Sequence, residues 1–447
     1  MKLGLVAMSG TRAQNAELMA LGLTLPGFVE RGKTIASLPS LGLLTLAGMT
    51  PAGIDVEYVE MRDLDTGPPP PTDFDVVAIS SYTAQIGQAY RLADAYRAHG
   101  IRVVLGGLHV TAMPDEAATH ADSIVVGEGE SAWPRLMTDL LANRLEARYD
   151  VRTASFDLAE APLPRFDLLQ IDRYNRLTVQ TQRGCPHRCE FCASSLRLSP
   201  RYKVKPVAKV VAEIRRIKEL WNPARPFIEL ADDNTFVNKS HSKHLVEAIA
   251  REDVRWFTET DVSVADDDEL LLMMRDSGCA QVLIGLESPT PDGLDGLEQR
   301  SNWKWKRRDR YAWAIERIQS HGISVNGCFV LGLDHTGPEC FDAVRRFVRE
   351  SGLYEVQITI LTPFPGTPLY ERLRNEGRLL HDGAWERCTL FDVNFQPATM
   401  TVSELESGFR LLAETLYSGP TTRDRRRRFF HSRRAATEAT SHTGREL

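Results

Sequence analysis

Short apolar runs alternate with longer amphipathic stretches along most of the chain, the pattern of strands and helices taken in turn. Lys2 to Ala7 reads as a strand, and after a long irregular stretch the apolar segment Ser40 to Ala47 reads as a helix, ended by Gly53. Ile54 to Met61 alternates like a strand, and the proline-rich loop Gly67 to Pro71 marks the surface, since proline supplies no backbone donor. Asp75 to Ser80 is a buried strand, Gln85 to His99 a helix with an apolar stripe, and Ile101 to Gly107 a strand closing on two glycines. Ser123 to Gly127 is a last strand, followed by Glu128-Gly129-Glu130 and the helix Ala132 to Leu141. This order predicts an α/β fold, a doubly wound, Rossmann-like parallel sheet over residues 1–144 whose ligands bind beyond the carboxyl ends of the strands. Ser81-Tyr82-Thr83 and Gly106-Gly107 fall at such ends, offering hydroxyls and backbone free of side chains.

The segment Gln182 to Cys192 holds three of the seven cysteines, at spacings of four and three. Three thiolates on one loop can surround a metal centre, and because electron carriers use four, a set of three leaves one iron open to a substrate or cofactor. A structural zinc site would instead close with a fourth Cys or His at motif spacing, and His187, inside the loop, is a common filler there. The loop resembles the CxxxCxxC of the radical SAM superfamily, with Cys185, Cys189 and Cys192 matching and Phe191 as the aromatic before the last cysteine. The resemblance implies a [4Fe-4S] cluster on those cysteines, with S-adenosylmethionine (SAM) chelating the open iron through its amino and carboxylate groups.

Residues 103–111 and 125–130 look like the cobalamin (B12)-binding domain that precedes the radical SAM domain in one branch of that superfamily. This implies cobalamin contacts from Ser81, Tyr82, Thr83, Gly106, Gly107, His109, Gly127, Glu128 and Glu130. The Asp-x-His-x-x-Gly motif that supplies a His below cobalt is missing after the first strand, so no such ligand is expected. A domain of this fold that has lost its cofactor is the alternative. After a connector at 145–178, with its Pro-rich boundary Ala161 to Pro164, the alternation resumes as the expected partial (β/α)6 barrel over 179–370. Its strands are one before Cys185, then Phe227 to Leu230, Arg255 to Thr260, Gln281 to Leu286, Ser324 to Leu331 and Glu355 to Leu361. Polar residues recur at the carboxyl ends, where barrels gather function: Asp232-Asp233-Asn234, Glu259-Thr260-Asp261, Glu287-Ser288 and Thr362-Pro363. Any one of them taken alone, Asp232 or Asp267 for instance, reads equally well as a helix cap. By resemblance, SAM is contacted by Phe191, Asp232, Glu259, Glu287, Ser288, Gly327 and Gly332, the last two on the strand passing beneath the adenine.

With 447 residues the chain has room for two or three domains, and no apolar run is long enough to span a bilayer. The opening residues read as a strand rather than a signal peptide, and the scattered remaining cysteines form no disulfide framework, so the expected compartment is the cytoplasm. A net charge of −6 disfavours nucleic acid, except at Arg423 to Arg434, where seven arginines face one aspartate. Residues 421–447 are expected to be a disordered basic tail. Trp303 to Arg308 interleaves aromatics with cations like a stacking patch but, lying between a strand end and a helix, reads as a surface loop. Residues 371–420 form a small C-terminal region near the substrate, where Trp385, Asp392 and Asn394 are pocket candidates by position and Trp385 fits a core role better.

The resemblance implies an enzyme. Electron transfer from the cluster to SAM would give methionine and a 5′-deoxyadenosyl radical, which takes hydrogen from an unactivated carbon of a small-molecule substrate, and methylcobalamin would deliver a methyl group. A reductase, flavodoxin or ferredoxin would supply the electron. Relatives of this architecture also catalyse ring closure and oxidative rearrangement, so a non-methylating enzyme is the second reading. A non-catalytic iron–sulfur or cobalamin carrier is the third, disfavoured because a carrier gains nothing from an open iron. No catalytic acid, base or radical-quenching residue is assigned.

Overall fold

The computed structural model describes residues 1–10, 13–20, 38–193, 202–221 and 225–443. Strands β1 (Lys2–Met8), β2 (Asp55–Met61), β3 (Val76–Ser81), β4 (Arg102–Gly106), β5 (Ser123–Val126) and β6 (Arg148–Asp150) form a sheet of order β2-β1-β3-β4-β5-β6. Every pairing in it is parallel. Successive side chains on a strand point to opposite faces, so each strand feeds two cores. Val6, Val77, Val103 and Ile124 pack with helix Ile86–Ala98, while Leu5, Ala78, Val104 and Val125 pack with helices Leu41–Met49 and Gly129–Leu141. The chain passes from β1 to β2 on one side and returns to β3 on the other. The topological switch therefore lies between the carboxyl ends of β1 and β3, where Ser9 and Ser81-Tyr82 stand. The sequence pattern does not reveal β6, inside the stretch read as connector: three residues with one buried side chain, Tyr149, carry no period.

The second sheet starts at β7 (Leu177–Val179), and a small antiparallel hairpin of β8 (Gln182–Arg183) and β9 (Lys203–Val204) frames the cysteine loop. Then come β10 (Phe227–Leu230), β11 (Arg255–Thr260), β12 (Cys279–Glu287), β13 (Ser324–Leu331) and β14 (Glu355–Ile360). The order β14-β13-β12-β11-β10-β7 is sequential and parallel, a six-stranded open barrel with edges at β7 and β14. Leu177, Ile228, Trp256, Val282, Ile284, Phe329 and Ile358 pack outward against the helices in one core. By alternation, Thr178, Glu229, Glu259, Leu283, Cys328 and Thr359 face inward, which leaves a largely polar interior.

Two expectations change here. The basic segment is a helix, Gly419–Thr443, rather than a disordered tail: Arg425 and Phe429, one turn apart, are buried, and Glu355 at the foot of β14 pairs with both Arg425 (3.3 Å) and Arg426 (2.9 Å). Residues 402–417 form a further helix, with Thr401 and Glu404 as its capping box. Trp303–Arg307 is helical, and Lys304 within it is buried rather than displayed on a surface loop. No helix among the described residues is long and apolar enough to cross a membrane.

Candidate cluster and cofactor site

The cysteine loop is held from two sides. Gly184, at φ +89°, donates its backbone N–H to Asp233 at 2.8 Å. On the other side residues after β12 run antiparallel to the loop: Cys189 and Glu298 form a bridge, the Glu190 N–H donates to Leu297 at 3.1 Å and the Gln299 N–H to Arg188 at 3.0 Å. The Glu298 carboxylate, 1 % exposed, accepts five donors, from the backbone of Arg188, Arg300, Ser301 and Trp303 and from the Ser301 hydroxyl, at 2.8–3.3 Å. Burial pushes this carboxyl up, and the bonds outweigh it and hold it at about 2. Cys189 is buried and Cys185 and Cys192 are half-buried. Burial pushes the Cys185 thiol up to about 11 and the Cys189 thiol to about 12. Such thiols stay protonated until a metal replaces the proton. Among the described residues no three Cys, His, Asp or Glu side chains converge tightly enough to hold a single ion.

Inside the barrel stand Glu229, Glu259 and Glu287, from consecutive strands. Glu259 is exposed to the open interior of the barrel, where confinement by the surrounding walls first, then Glu229, Asp233, Asp232 and Glu287, raises it to about 8. Glu287 sits at φ +61°, at an irregular register between β12 and β13, a conformation that costs about 1–3 kcal/mol. Its carboxylate binds Lys304, whose ammonium also donates to the Gly285 carbonyl at 2.7 Å. Burial works against the Lys304 cation, but Glu287 and the nearby Cys189 outweigh it and raise it. Phe191 packs half-buried against the barrel core, and the Ser288 hydroxyl is 3.0 Å from that of Thr290.

Several candidates are employed otherwise. The Asp232 carboxylate accepts the Thr181 and Gln182 N–H groups at 2.8 and 3.0 Å and the hydroxyls of Thr181 and Thr235, so it pins the start of the cysteine loop. Burial outweighs those bonds and raises it to about 6. Its neighbour Asp233, one step along, is the acid that faces the loop. A Cβ on Gly327 would lie 2.8 Å from Leu353, on the outer face of β13, and one on Gly332 would lie 2.9 Å from Leu405, so both glycines serve packing.

At the end of the first sheet, Gly107 and Gly127 both adopt φ +106°, and a Cβ on Gly107 would sit 3.2 Å from the Ser80 hydroxyl. A Cβ on Gly106 would meet only Val125, at 3.7 Å, so there is room above this strand end. Thr83 is buried, and the Ser81 hydroxyl donates to the Tyr82 carbonyl at 2.9 Å. Tyr82 is 50 % exposed, but walls on both sides raise its phenol, through burial first and then Glu229 of the barrel and Glu60 of β2. Glu128 and Glu130 turn away from this end toward the cysteine loop. Arg183 donates to Glu128 at 2.8 Å and to Glu130 at 2.7 Å, and Lys203 donates to Glu128 at 2.6 Å.

His109 likewise points into packing, its Nε2 3.3 Å from Glu116 and its ring 5.2 Å from that of Trp385. Trp385 in turn donates to both Glu116 oxygens, at 3.0 and 3.1 Å, the core role its sequence favoured. Asp392 accepts the Gln14 and Asn15 N–H groups at 2.8 and 3.0 Å, and Asn394 reaches Cys388 at 3.6 Å. Sequence reasoning missed the roles of Arg183, Glu298 and Lys304, and named Asp233 only within the Asp232-Asp233-Asn234 strand end. For Lys304 a signal exists, since Trp303, Lys304 and Arg307 share one helical face.

The Radical SAM superfamily model matches residues 179–348, the B12 binding domain model residues 33–137, and a domain of unknown function residues 367–446. Bacteriochlorophyllide d C-12(1)-methyltransferase of Chlorobaculum tepidum is 28% identical over 384 residues, 85% of this chain and 82% of that protein. An uncharacterized methyltransferase of Synechocystis sp. is 30% identical over 372 residues, 80% of this chain and 67% of that protein. The radical S-adenosylmethionine methyltransferase TsrM of Kitasatospora setae, solved with cobalamin and a [4Fe-4S] cluster bound, shares the fold with a TM-score of 0.66 at 16% identity, over 98% of this chain and 99% of that one. Matched over both sheets, and not over the barrel alone, the chain belongs to the cobalamin-binding-domain-containing radical SAM family.

Proposed function

We propose that the chain is a cobalamin-dependent radical SAM methyltransferase acting on an unactivated carbon of a small molecule. The observation that carries this reading is the seam between the two sheets: Arg183, beside the cysteine loop, donates to Glu128 and Glu130, which follow the carboxyl end of β5. The strand end suited to cobalamin is thus tied directly to the loop suited to the cluster. Relatives named as methyltransferases, one of them acting on a bacteriochlorophyllide, support methyl transfer to a small molecule.

The residues fit the cofactors. Cys185, Cys189 and Cys192 offer three soft donors on one loop and would hold the [4Fe-4S] cluster. Glu259, Asp233 and Glu287 give the barrel an acidic wall suited to the sulfonium and ammonium of SAM. Ser81, Tyr82, Thr83, Gly106, Gly107 and Gly127 would cradle cobalamin, close to Ser9, whose buried hydroxyl has no partner among the described residues. Together the bound cofactors supply hydrogen-atom abstraction from, and methyl transfer to, a carbon with no activating group. The chain's own part is placement. Glu298 and Asp233 fix the cysteine loop, and Arg183 fixes that loop to the first sheet through Glu128 and Glu130. An external flavodoxin- or ferredoxin-type carrier would provide the electron.

The deciding experiment counts products. With substrate and reductant the loaded protein should release S-adenosylhomocysteine and 5′-deoxyadenosine in like amounts, quantified by mass spectrometry. Release of 5′-deoxyadenosine with S-adenosylhomocysteine at background would replace methyl transfer by a cyclisation or rearrangement.

A further inference from the structure

The cysteine loop also has an outer face that the reaction does not use. One oxygen of Glu298 draws the backbone N–H groups of Arg188 and Arg300 to itself at 3.0 Å each, so two exposed arginines emerge side by side, one from inside the cysteine loop. The other oxygen lies 3.3 Å from the Trp303 N–H, at the start of the short helix that carries the exposed Lys306. Arg188, Arg300 and Lys306 have no acidic partner among the described residues, whereas Arg307 and Arg310 nearby share Asp266, each at 2.7 Å. Trp305, the residue before Lys306, is 37 % exposed, with the Arg308 guanidinium 4.7 Å from its ring centre. Trp303 leans on His187, ring centres 4.7 Å apart, and His187 lies between Cys185 and Cys189. In a chain of net charge −6, uncompensated cations are thus gathered through Glu298 at the cysteine loop, with an exposed indole on the same short helix as Lys306.

The geometry points to this face as the docking surface for an acidic one-electron carrier protein of the flavodoxin or ferredoxin type. The inference rests on the proposed radical SAM reading, in which the cluster needs an electron from outside. On docking, one electron leaves the carrier's reduced flavin or iron–sulfur centre and enters the cluster, oxidising the one and reducing the other. Unpaired surface cations steer an acidic partner and orient it. A carrier seated on Arg188 and Arg300 would rest on the cysteine loop itself, since Arg188 lies between Cys185 and Cys189 and Arg300 shares its Glu298 oxygen. A nucleic acid would also welcome cations beside an indole. Arg188, within the cysteine loop itself, puts the patch beside the cluster ligands and favours the electron carrier.

The test uses the double variant Arg300→Glu/Lys306→Glu, both side chains exposed, with the neutral Arg300→Gln/Lys306→Gln as a milder companion. Binding of a labelled oxidised flavodoxin, followed by fluorescence anisotropy at low salt, should weaken on the order of 10-fold in the charge-reversed variant and less in the neutral one. SAM cleavage driven by reduced flavodoxin should fall by a similar factor, while cleavage driven by dithionite stays at wild-type rate. Unchanged flavodoxin binding, or an equal loss with both reductants, overturns the assignment. Loss of affinity for a single-stranded oligoribonucleotide with flavodoxin binding intact overturns it in favour of nucleic acid. A wild-type protein that cleaves no SAM with dithionite refutes the enzymatic reading instead, and the binding measurement still decides the docking.

Discussion

Arg183, two residues before the first cysteine of the loop, donates to Glu128, just beyond the last long strand of the first sheet, at 2.8 Å. The contact joins the two sheets through a pair whose side chains are mostly buried, 18 % exposed on Arg183 and 6 % on Glu128. Burial opposes the charge on each, but Lys203, the Phe156 N–H and Arg183 hold the Glu128 carboxyl below its ordinary range.

Arg183→Gln should therefore strand Glu128 and Glu130 with one cation fewer, at a cost of about 3 kcal/mol in urea unfolding. Adding Glu128→Gln should recover part of the loss, with a coupling of about 1–3 kcal/mol across the cycle. Strict additivity would mean that the two residues do not stabilise each other. Because the folded Glu128 carboxyl is depressed, its contribution is present above the ordinary carboxylate range and fades as pH falls through the folded value, so the difference between wild type and Glu128→Gln should shrink in acid.

Glu298 is the second joint. Its replacement by Gln puts an amide donor against backbone donors, and each lost charged hydrogen bond is worth about 1.5–3 kcal/mol. Glu298→Gln should lower stability by about 2 kcal/mol and reduce iron bound per chain, while cobalamin content, measured from its visible absorption, is unchanged. Full iron loading in this variant would show that the loop keeps its shape without the clamp.

Most strands of both sheets were legible because they alternate or run apolar over four to nine residues, and burial is almost unbroken along the apolar runs Leu3 to Met8 and Ser324 to Leu331. The cysteine loop was legible from spacing alone. Identity at single positions was not. Asp232 and Asp233 are adjacent acids at a strand end, and only the pleat decides that the first turns to Thr181 and the second to the loop. His109 looked like a cofactor contact, yet a short helix rotates it toward Glu116, a partner the linear pattern does not show. Glu298 lies more than a hundred residues from the loop it clamps, in an irregular segment with no period. The helix after Thr401 had a readable sign, Thr401-Val402-Ser403-Glu404, a capping box in sequence as in structure.

Two neighbouring glycines should separate backbone need from ligand need. Gly107→Ala places a Cβ at φ +106° and near Ser80, and should cost about 1–3 kcal/mol. Gly106→Ala meets only Val125 at ordinary contact distance and should leave stability unchanged. Gly106→Leu extends over the strand end, and should fold and bind iron normally while losing cobalamin. Normal cobalamin uptake by Gly106→Leu would place that cofactor elsewhere.

Glu259 supplies the last prediction, because its carboxyl, at about 8 against an ordinary 4.5, is largely protonated at neutral pH. The folded chain then holds a proton that the unfolded chain releases. Stability should fall as pH rises from about 4.5 and level off beyond about 8, and Glu259→Gln should remove that decline. A cation entering the barrel reverses the balance. The sulfonium and ammonium of SAM would favour the carboxylate and pull the value down, so binding SAM near pH 7 should expel a proton. Isothermal titration calorimetry in buffers of different ionisation enthalpy reads this proton directly, and SAM affinity should rise with pH through about 8 in the wild type and stay flat in Glu259→Gln. Identical proton release by the two proteins would mean that Glu259 lines a part of the barrel SAM does not reach.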